Sequence, residues 1–222
     1  LTMIALKILS QVIPVLNRED RCSQALGWME IFRVSHLPVV EGDEYLGLLE
    51  DETIYAHGNL EDPIASLEIH RESTFVYEDT YIYDIVGVAS AGMLSVIPVL
   101  SRSGKYRGVI LPADILYQVD RLLGANLPGG IIVLEVNNID YSLAEIAQIV
   151  EYNEAKVVSC CVTGGGDTNK VYVVLKVNTS NLEPILETFN RYQYSIKITF
   201  VNGEEYGEEL RERYGQLMRY ME

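Results

Sequence analysis

Apolar and polar positions follow one order twice along the chain. From 36 to 54 the sequence HLPVVEGDEYLGLLEDETI gives an apolar stretch, an acidic turn, a second apolar stretch broken by Gly47, and a polar helix start. From 96 to 115 the sequence VIPVLSRSGKYRGVILPADI repeats that order, with Gly108 breaking its second stretch. The alignment pairs Val34 with Leu94, Ser35 with Ser95, Leu37 with Ile97, Pro38 with Pro98 and Val39 with Val99. After one added turn residue it pairs Tyr45 with Tyr106, Gly47 with Gly108, Leu48 with Val109 and Ile54 with Ile115. A helical stripe precedes each unit: Cys22, Leu26 and Met29 behind Asp20, then Ile82, Ile85, Val86 and Ala89 behind Asp79 or Thr80. Each copy, about 1–60 and 61–123, reads strand, helix, strand, turn, strand, helix. One copy is too short to bury both faces of its sheet, so two stacked copies are expected to share a core.

Glycine and proline concentrate at 124–130, which sets a linker. The pattern then restarts over 131–203. A strand at 131–136 precedes a Ser142/Glu145 capping pair and the stripe Leu143, Ile146, Ala147, Val150. The runs KVVSCCVT and KVYVVLKV flank a GGGDTN turn, the stripe Leu182, Ile185, Leu186, Phe189 follows with Pro184 in its first turn, and SIKITFV closes the unit. The order is β-α-β-β-α-β, a ferredoxin-like unit, and the fold class of the whole is α+β. Over 204–222, Tyr206, Leu210, Tyr214, Leu217 and Met221 form one seam of an amphipathic helix, either packed on its own domain or forming a dimer contact.

Composition narrows the partners. The 222 residues carry 32 acidic against 17 basic side chains, a net charge of −15, which argues against a general phosphate-backbone binder, leaves room for a local basic pocket and predicts no nucleic-acid partner. Three cysteines without framework spacing predict a reducing, cytoplasmic setting. No apolar run reaches the ~18 residues of a membrane span. The apolar opening stretch is interrupted by Lys7 and does not follow the pattern of a secretion signal.

The doubled Pro-Val strand, short turn, hydrophobic-Gly-hydrophobic-hydrophobic strand and helix start resemble the cystathionine-β-synthase (CBS) domain pair over 1–123. The resemblance implies a regulatory role, self-association into a homodimer, and adenine-nucleotide ligands (AMP, ATP or S-adenosylmethionine) in clefts between copies. Nucleotide-binding members carry Gly, two hydrophobics, Ser or Thr, two residues, then Asp. Here the first copy has Glu50 and Thr53 at the last two marked positions, and the second has Leu111 and Asp114. Losing one hydroxyl forfeits about 0.5–1.5 kcal/mol. A carboxylate near 4 Å from a phosphate costs about 1–4 kcal/mol. The second cleft is therefore the better candidate, with Asp114, Leu111, Val96, Pro98, Arg102 and Arg107 as its expected residues and Lys105 nearby in sequence. A solvated hairpin tip is the plainer account of those bases, and a helix N-cap accounts for Asp114 equally well. The region 131–203 resembles an ACT-type regulatory domain, although Tyr141 stands where ligand-binding members carry glycine.

Other patterns bring no chemistry together. A strand follows TGGGDT, so that stretch is a turn and not a phosphate loop. His36, His57 and His70 lack ligand spacing, and Glu50, Asp51 and Glu52 suit a helix start better than Mg²⁺. No nucleophile, base and acid share a motif, so the expectation is a protein that is not an enzyme, with no metal site. Two regulatory readings stand: a nucleotide sensor, or a ligand-free scaffold that binds a partner protein.

Overall fold

The computed structural model describes residues 3–69, 75–164, 169–201 and 203–205. Its contacts divide the chain into two units, Leu1–Val119 and Asp120–Glu222.

In the first unit α1 (Ala5–Ile8) and α2 (Cys22–Phe32) precede the hairpin β1 (His36–Glu41) and β2 (Glu44–Glu50), followed by α3 (Asp51–His57). A single 3-10 turn at Ile64–Ser66 leads to β3 (Val76–Tyr77), α4 (Ile82–Ala91), the hairpin β4 (Ile97–Leu100) and β5 (Tyr106–Ile110), and α5 (Pro112–Leu123), whose last residues, from Asp120, fall in the second unit. The aligned pairs of the sequence occupy the same register. Pro38 faces Leu48 and Val39 faces Gly47; Pro98 faces Val109 and Val99 faces Gly108. A bulge follows immediately in both hairpins, between Val39 and Val40 and between Val99 and Leu100. It absorbs one residue in each and turns both strands alike. Leu16 bridges Val39 in parallel just as Val76 pairs with Val99, so each hairpin gains the same third neighbour.

The copies exchange their first segments. Ile4 bridges Tyr81 and Ser10 bridges Val109 of the second copy, while Pro63 bridges Arg21 of the first. Ala5 N–H donates to Thr80 O and Ile64 N–H to Asp20 O, equivalent bonds in opposite directions along the chain. Neither copy is therefore complete without the other. The shared interior holds Leu37, Val39, Leu49, Ile54, Ile82, Ile85, Ile97, Val99 and Ile110, each 1% exposed or less.

The helix starts differ from expectation. Arg21 and Tyr81 occupy the cap positions without side-chain cap bonds. Asp20 instead accepts from Asn17 N–H, Thr80 accepts from Tyr77 N–H, and Asp79 pairs with Arg102. A nearby polar residue satisfies a turn as readily as a helix, and here the preceding turns won. The α2 stripe is Cys22, Ala25 and Met29, and Val86 of α4 is exposed.

In the second unit β6 (Gly130–Asn137), α6 (Leu143–Tyr152), β7 (Val157–Gly164), β8 (Lys170–Val177), α7 (Glu183–Arg191) and β9 (Ser195–Val201) appear in the expected order. A two-residue strand, β10 (Glu204–Glu205), pairs with β9, so the segment expected to start a helix at Glu204 begins as strand. The sheet order is β10-β9-β6-β8-β7, antiparallel throughout. Ile132, Leu134, Val136, Ile146, Ile149, Val150, Val173, Leu175, Ile185 and Phe189 form its core. Ser142 caps α6 by accepting from Glu145 N–H, as expected, but Leu143 is exposed and Ile149 takes its place in the stripe. At Gly129 a Cβ would lie 1.9 Å from Val177 O, so only glycine passes there. The amphipathic seam from Tyr206 onward, His70 and the 165–168 stretch of the glycine-rich turn lie outside the described residues.

Candidate functional site

The β5–α5 junction places four of the predicted residues together. Ile97 faces Ile110, so Val96 at the start of β4 and Leu111 at the end of β5 belong to one end of the hairpin. Val96 and Pro98 are buried and Leu111 is half-buried. Leu111 occupies the cap position of α5. Its carbonyl accepts from Asp114 N–H at 2.9 Å and Ile115 N–H at 3.2 Å, while its own N–H donates to Asp114 Oδ2 at 3.2 Å. Asp114 thus reaches back from the third helical position to the cap amide. It is not the N-cap itself; Pro112 sets the first turn and moves the carboxylate three residues in.

Arg102 and Arg107 do not join them. Arg102 and Lys105 stand at the β4–β5 turn, the other end of β5. Four residue steps separate Tyr106 from Ile110, about 13 Å of strand. Each base has an acid of its own. Arg102 Nη2 lies 2.9 Å from Asp79 Oδ2, with its guanidinium 4.4 Å from the Tyr77 ring centroid. Arg107 pairs with Glu78 at 3.1 Å and Lys105 with Asp43 at 3.1 Å. The hydrogen bond from Arg102 holds the Asp79 carboxyl below its ordinary range. The sequence spread these acids up to 62 positions from their bases, so nothing local announced the pairs.

At the equivalent end of the first copy the structure assembles a group that sequence spacing could not show. Buried His36 opens β1 and Glu50 closes β2, with His36 Nε2 3.3 Å from Glu50 Oε1. His36 Nδ1 accepts from Ser95 N–H at 3.3 Å and lies 2.9 Å from both Ser95 Oγ and Ser35 Oγ. Ser95 Oγ accepts from Ser35 N–H at 3.0 Å. Acid, imidazole and hydroxyl fall in line as in a hydrolytic relay. However, a relay needs its hydroxyl aimed at an open reacting position. Here hydroxyl and imidazole spend their bonds joining the copies. Glu50 is thereby held by a neighbour at the position the resemblance gives to a ligand-binding hydroxyl.

The second unit contains a cavity of about 350 Å³ at the end of β6, lined in part by Glu135, Asp140, Glu145, Lys170 and Tyr194. Glu135 accepts from Lys170 at 2.7 Å and pairs with Lys197 at 3.1 Å, and these bonds hold its carboxyl below the ordinary range. Tyr194 donates to Glu145 Oε2 at 2.6 Å; burial and that carboxylate push its hydroxyl well up. Tyr141 packs against the core with its hydroxyl beside Cys160, as a packed aromatic would. A second hollow of about 440 Å³ is lined by Tyr152, Asn153, Thr188, Arg191 and Tyr192. Among the described residues no group of three His, Cys, Asp or Glu is placed to hold a metal ion. Among them, too, no helix is long and apolar enough to cross a membrane.

No family model matches the sequence. Solved structures do. A CBS domain pair/ACT domain protein from Thermotoga maritima is 16% identical, matching 53% of this chain and 96% of its own at a TM-score of 0.49. CBSX2, solved in complex with AMP, is 15% identical over 52% of this chain and 95% of its own, at 0.46. The CBS domain of a bacterial CNNM/CorC family Mg²⁺ transporter, solved in complex with ATP, is 16% identical over 53% of this chain and 87% of its own, at 0.44.

Proposed function

We propose that this chain is a non-catalytic regulatory module: a CBS-type pair over 1–123, a linker at 124–130, an ACT-like domain over 131–203, and an output made by direct contact with a partner protein. The repeated register of the two hairpins and their exchanged first segments support the first assignment. The β-α-β-β-α-β order with its sheet order supports the second. A homodimer is the default assembly for such modules.

One observation carries the preference for a scaffold over a nucleotide sensor. The charged groups that a nucleotide would need are already satisfied within the chain: Arg102 by Asp79, Arg107 by Glu78, and one oxygen of Asp114 by the Leu111 amide. Arg102 and Lys105 also stand at the β4–β5 turn, at the opposite end of β5 from Asp114. Calorimetry with AMP, ATP and S-adenosylmethionine tests this reading. No heat of binding at millimolar ligand is expected. Micromolar binding of any of the three, abolished by Asp114→Ala, replaces the scaffold with the sensor. That second reading is favoured by the place of Asp114 in the first turn of α5, directly after the hairpin end that Val96 and Leu111 share.

A further inference from the structure

His36 is a buried titratable group with no counterpart in the other copy, where the equivalent position is Val96. Its two ring nitrogens serve different masters. Nε2 meets Glu50, at the end of β2 in its own copy. Nδ1 meets the amide and hydroxyl of Ser95, which leads into β4 of the other copy. An amide N–H can only donate, so the Ser95 contact fixes Nδ1 as an acceptor and places the ring hydrogen on Nε2, toward Glu50. The neutral imidazole is thus the form that satisfies both sides.

Protonation changes one side and strengthens the other. A hydrogen on Nδ1 faces the Ser95 N–H donor to donor and removes that amide's acceptor. The hydroxyls of Ser35 and Ser95 can turn to accept the new hydrogen, but the amide cannot. On Nε2 the neutral hydrogen bond to Glu50 becomes a charge-assisted one. The charged group paired with the ring is Glu50 from β2. Asp51, at the start of α3, is engaged elsewhere: its carboxylate accepts from Glu52 N–H and its amide donates to Ser35 O. The proton has a route, because the Glu50 side chain is 47% exposed while that of His36 is 9% exposed.

We propose that His36 is a proton-operated latch between the two copies: neutral, it ties Ser95 of the second copy to the first; protonated, it releases the Ser95 amide and closes on Glu50. The device deepens the regulatory reading, because it changes the packing of the copies without a ligand. It does not depend on the scaffold assignment, since a nucleotide sensor could carry it too. It also explains the one-sidedness, because Val96 offers the equivalent serine, Ser35, no acceptor.

The test reads ring and amide in one sample of the full chain. Ring nitrogen shifts report the charge on His36, and hydrogen exchange, corrected for its intrinsic pH dependence, reports protection of the Ser95 amide. Protection of Ser95 is expected to fall at least tenfold from pH 7.5 to pH 5, following the ring titration. In His36→Val, which installs the sister residue, Ser95 protection should be low and the same at both pH values. In Glu50→Gln the transition should move to lower pH. A His36 ring that stays neutral to pH 5, or one that titrates while Ser95 protection stays constant, overturns the proposal. The wild-type measurement alone decides this if a variant fails to fold. Nucleotide calorimetry is blind to the latch, so the two readings fail separately.

Discussion

Tyr45 and Tyr106 hold the same position in the two copies and stack on each other, ring centroids 6.5 Å apart and planes 13° from parallel. The hairpin tips meet beside them: Tyr106 N–H donates to Asp43 O, and Glu44 bridges Lys105. Tyr45 is fully buried, and Phe75 meets its ring edge-on at 5.9 Å. Tyr45→Ala should cost about 3–5 kcal/mol, as large aromatic truncations do. Tyr106 is only partly buried, so Tyr106→Ala should cost less. A double-mutant cycle should return a coupling of about 0.5–1.5 kcal/mol between the rings. Urea unfolding followed by Trp28 fluorescence measures all three; additive single costs would mean that the rings do not support each other.

Gly108 explains why glycine recurs after each turn. Its φ is 149° and that of Gly47 is 154°, both in a region that L side chains avoid. A Cβ at Gly108 would sit 2.7 Å from Ser10 O, a backbone atom of the exchanged first segment. Ser10 is bonded there twice, donating to Val109 O and accepting from Val109 N–H. Gly108→Ala should therefore cost about 1–3 kcal/mol in backbone strain and also loosen residues 9–11. The check is hydrogen exchange at Ser10 and Val109. Retained protection of both amides would show that the strand absorbs a methyl group without moving the segment.

The two hairpins were legible because short apolar runs, turn residues and paired glycines are local signals that recur in the same order. The element order from β6 to β9 was legible for the same reason: its strands are apolar runs and its helices carry stripes, although in α6 the stripe included Leu143 where the structure buries Ile149. The exchange of first segments was not. Ile4 and Pro63 carry no pattern that says which copy they will bridge, because a bridge across copies is long-range pairing with no periodicity of its own. Helix caps misled for a related reason. Asp20, Asp79 and Thr80 are short polar residues beside helix starts, and each had a turn or a cation within closer reach. The candidate site was half legible. Val96, Pro98, Leu111 and Asp114 came together because one strand pair sets them, whereas Arg102 and Arg107 were grouped by sequence nearness although β5 runs away from the junction. The His36 group was invisible, because its members come from three separate places in the chain.

Glu135 makes the second unit sensitive to acid. Its carboxyl is held below the ordinary range first by Lys170 and then by Lys197. A depressed folded-state value means that the stabilisation is complete above the ordinary glutamate range and is lost as pH falls through the folded value. The exchange protection of the β6 amides should therefore be level near neutrality and decline below about pH 4. Glu135→Gln should be less stable at pH 7, and the gap to the native chain should close as pH falls. Two curves that stay parallel down to pH 3 would show that the lysines do not act through this carboxylate.

Asp114 separates the two functional readings through the response of its variants to added nucleotide. As found, one carboxylate oxygen accepts from the Leu111 amide and tightens the first turn of α5. If capping is its role, Asp114→Asn keeps an acceptor at that place and should cost only a few tenths of a kcal/mol, whereas Asp114→Ala should cost about 1 kcal/mol. If its role is to hold a polar ligand, the ranking on stability is the same, but thermal stability of the native chain should rise on adding AMP or ATP. Each tenfold excess over the dissociation constant then adds about 1.4 kcal/mol. Thermal unfolding of the native chain and both variants, with and without millimolar nucleotide, measures these together. The expected result is a cap effect in Ala, little change in Asn, and no nucleotide shift in any of the three. A shift in the native chain that both variants lose would assign the carboxylate to a ligand and make the cap bond the device that holds it ready.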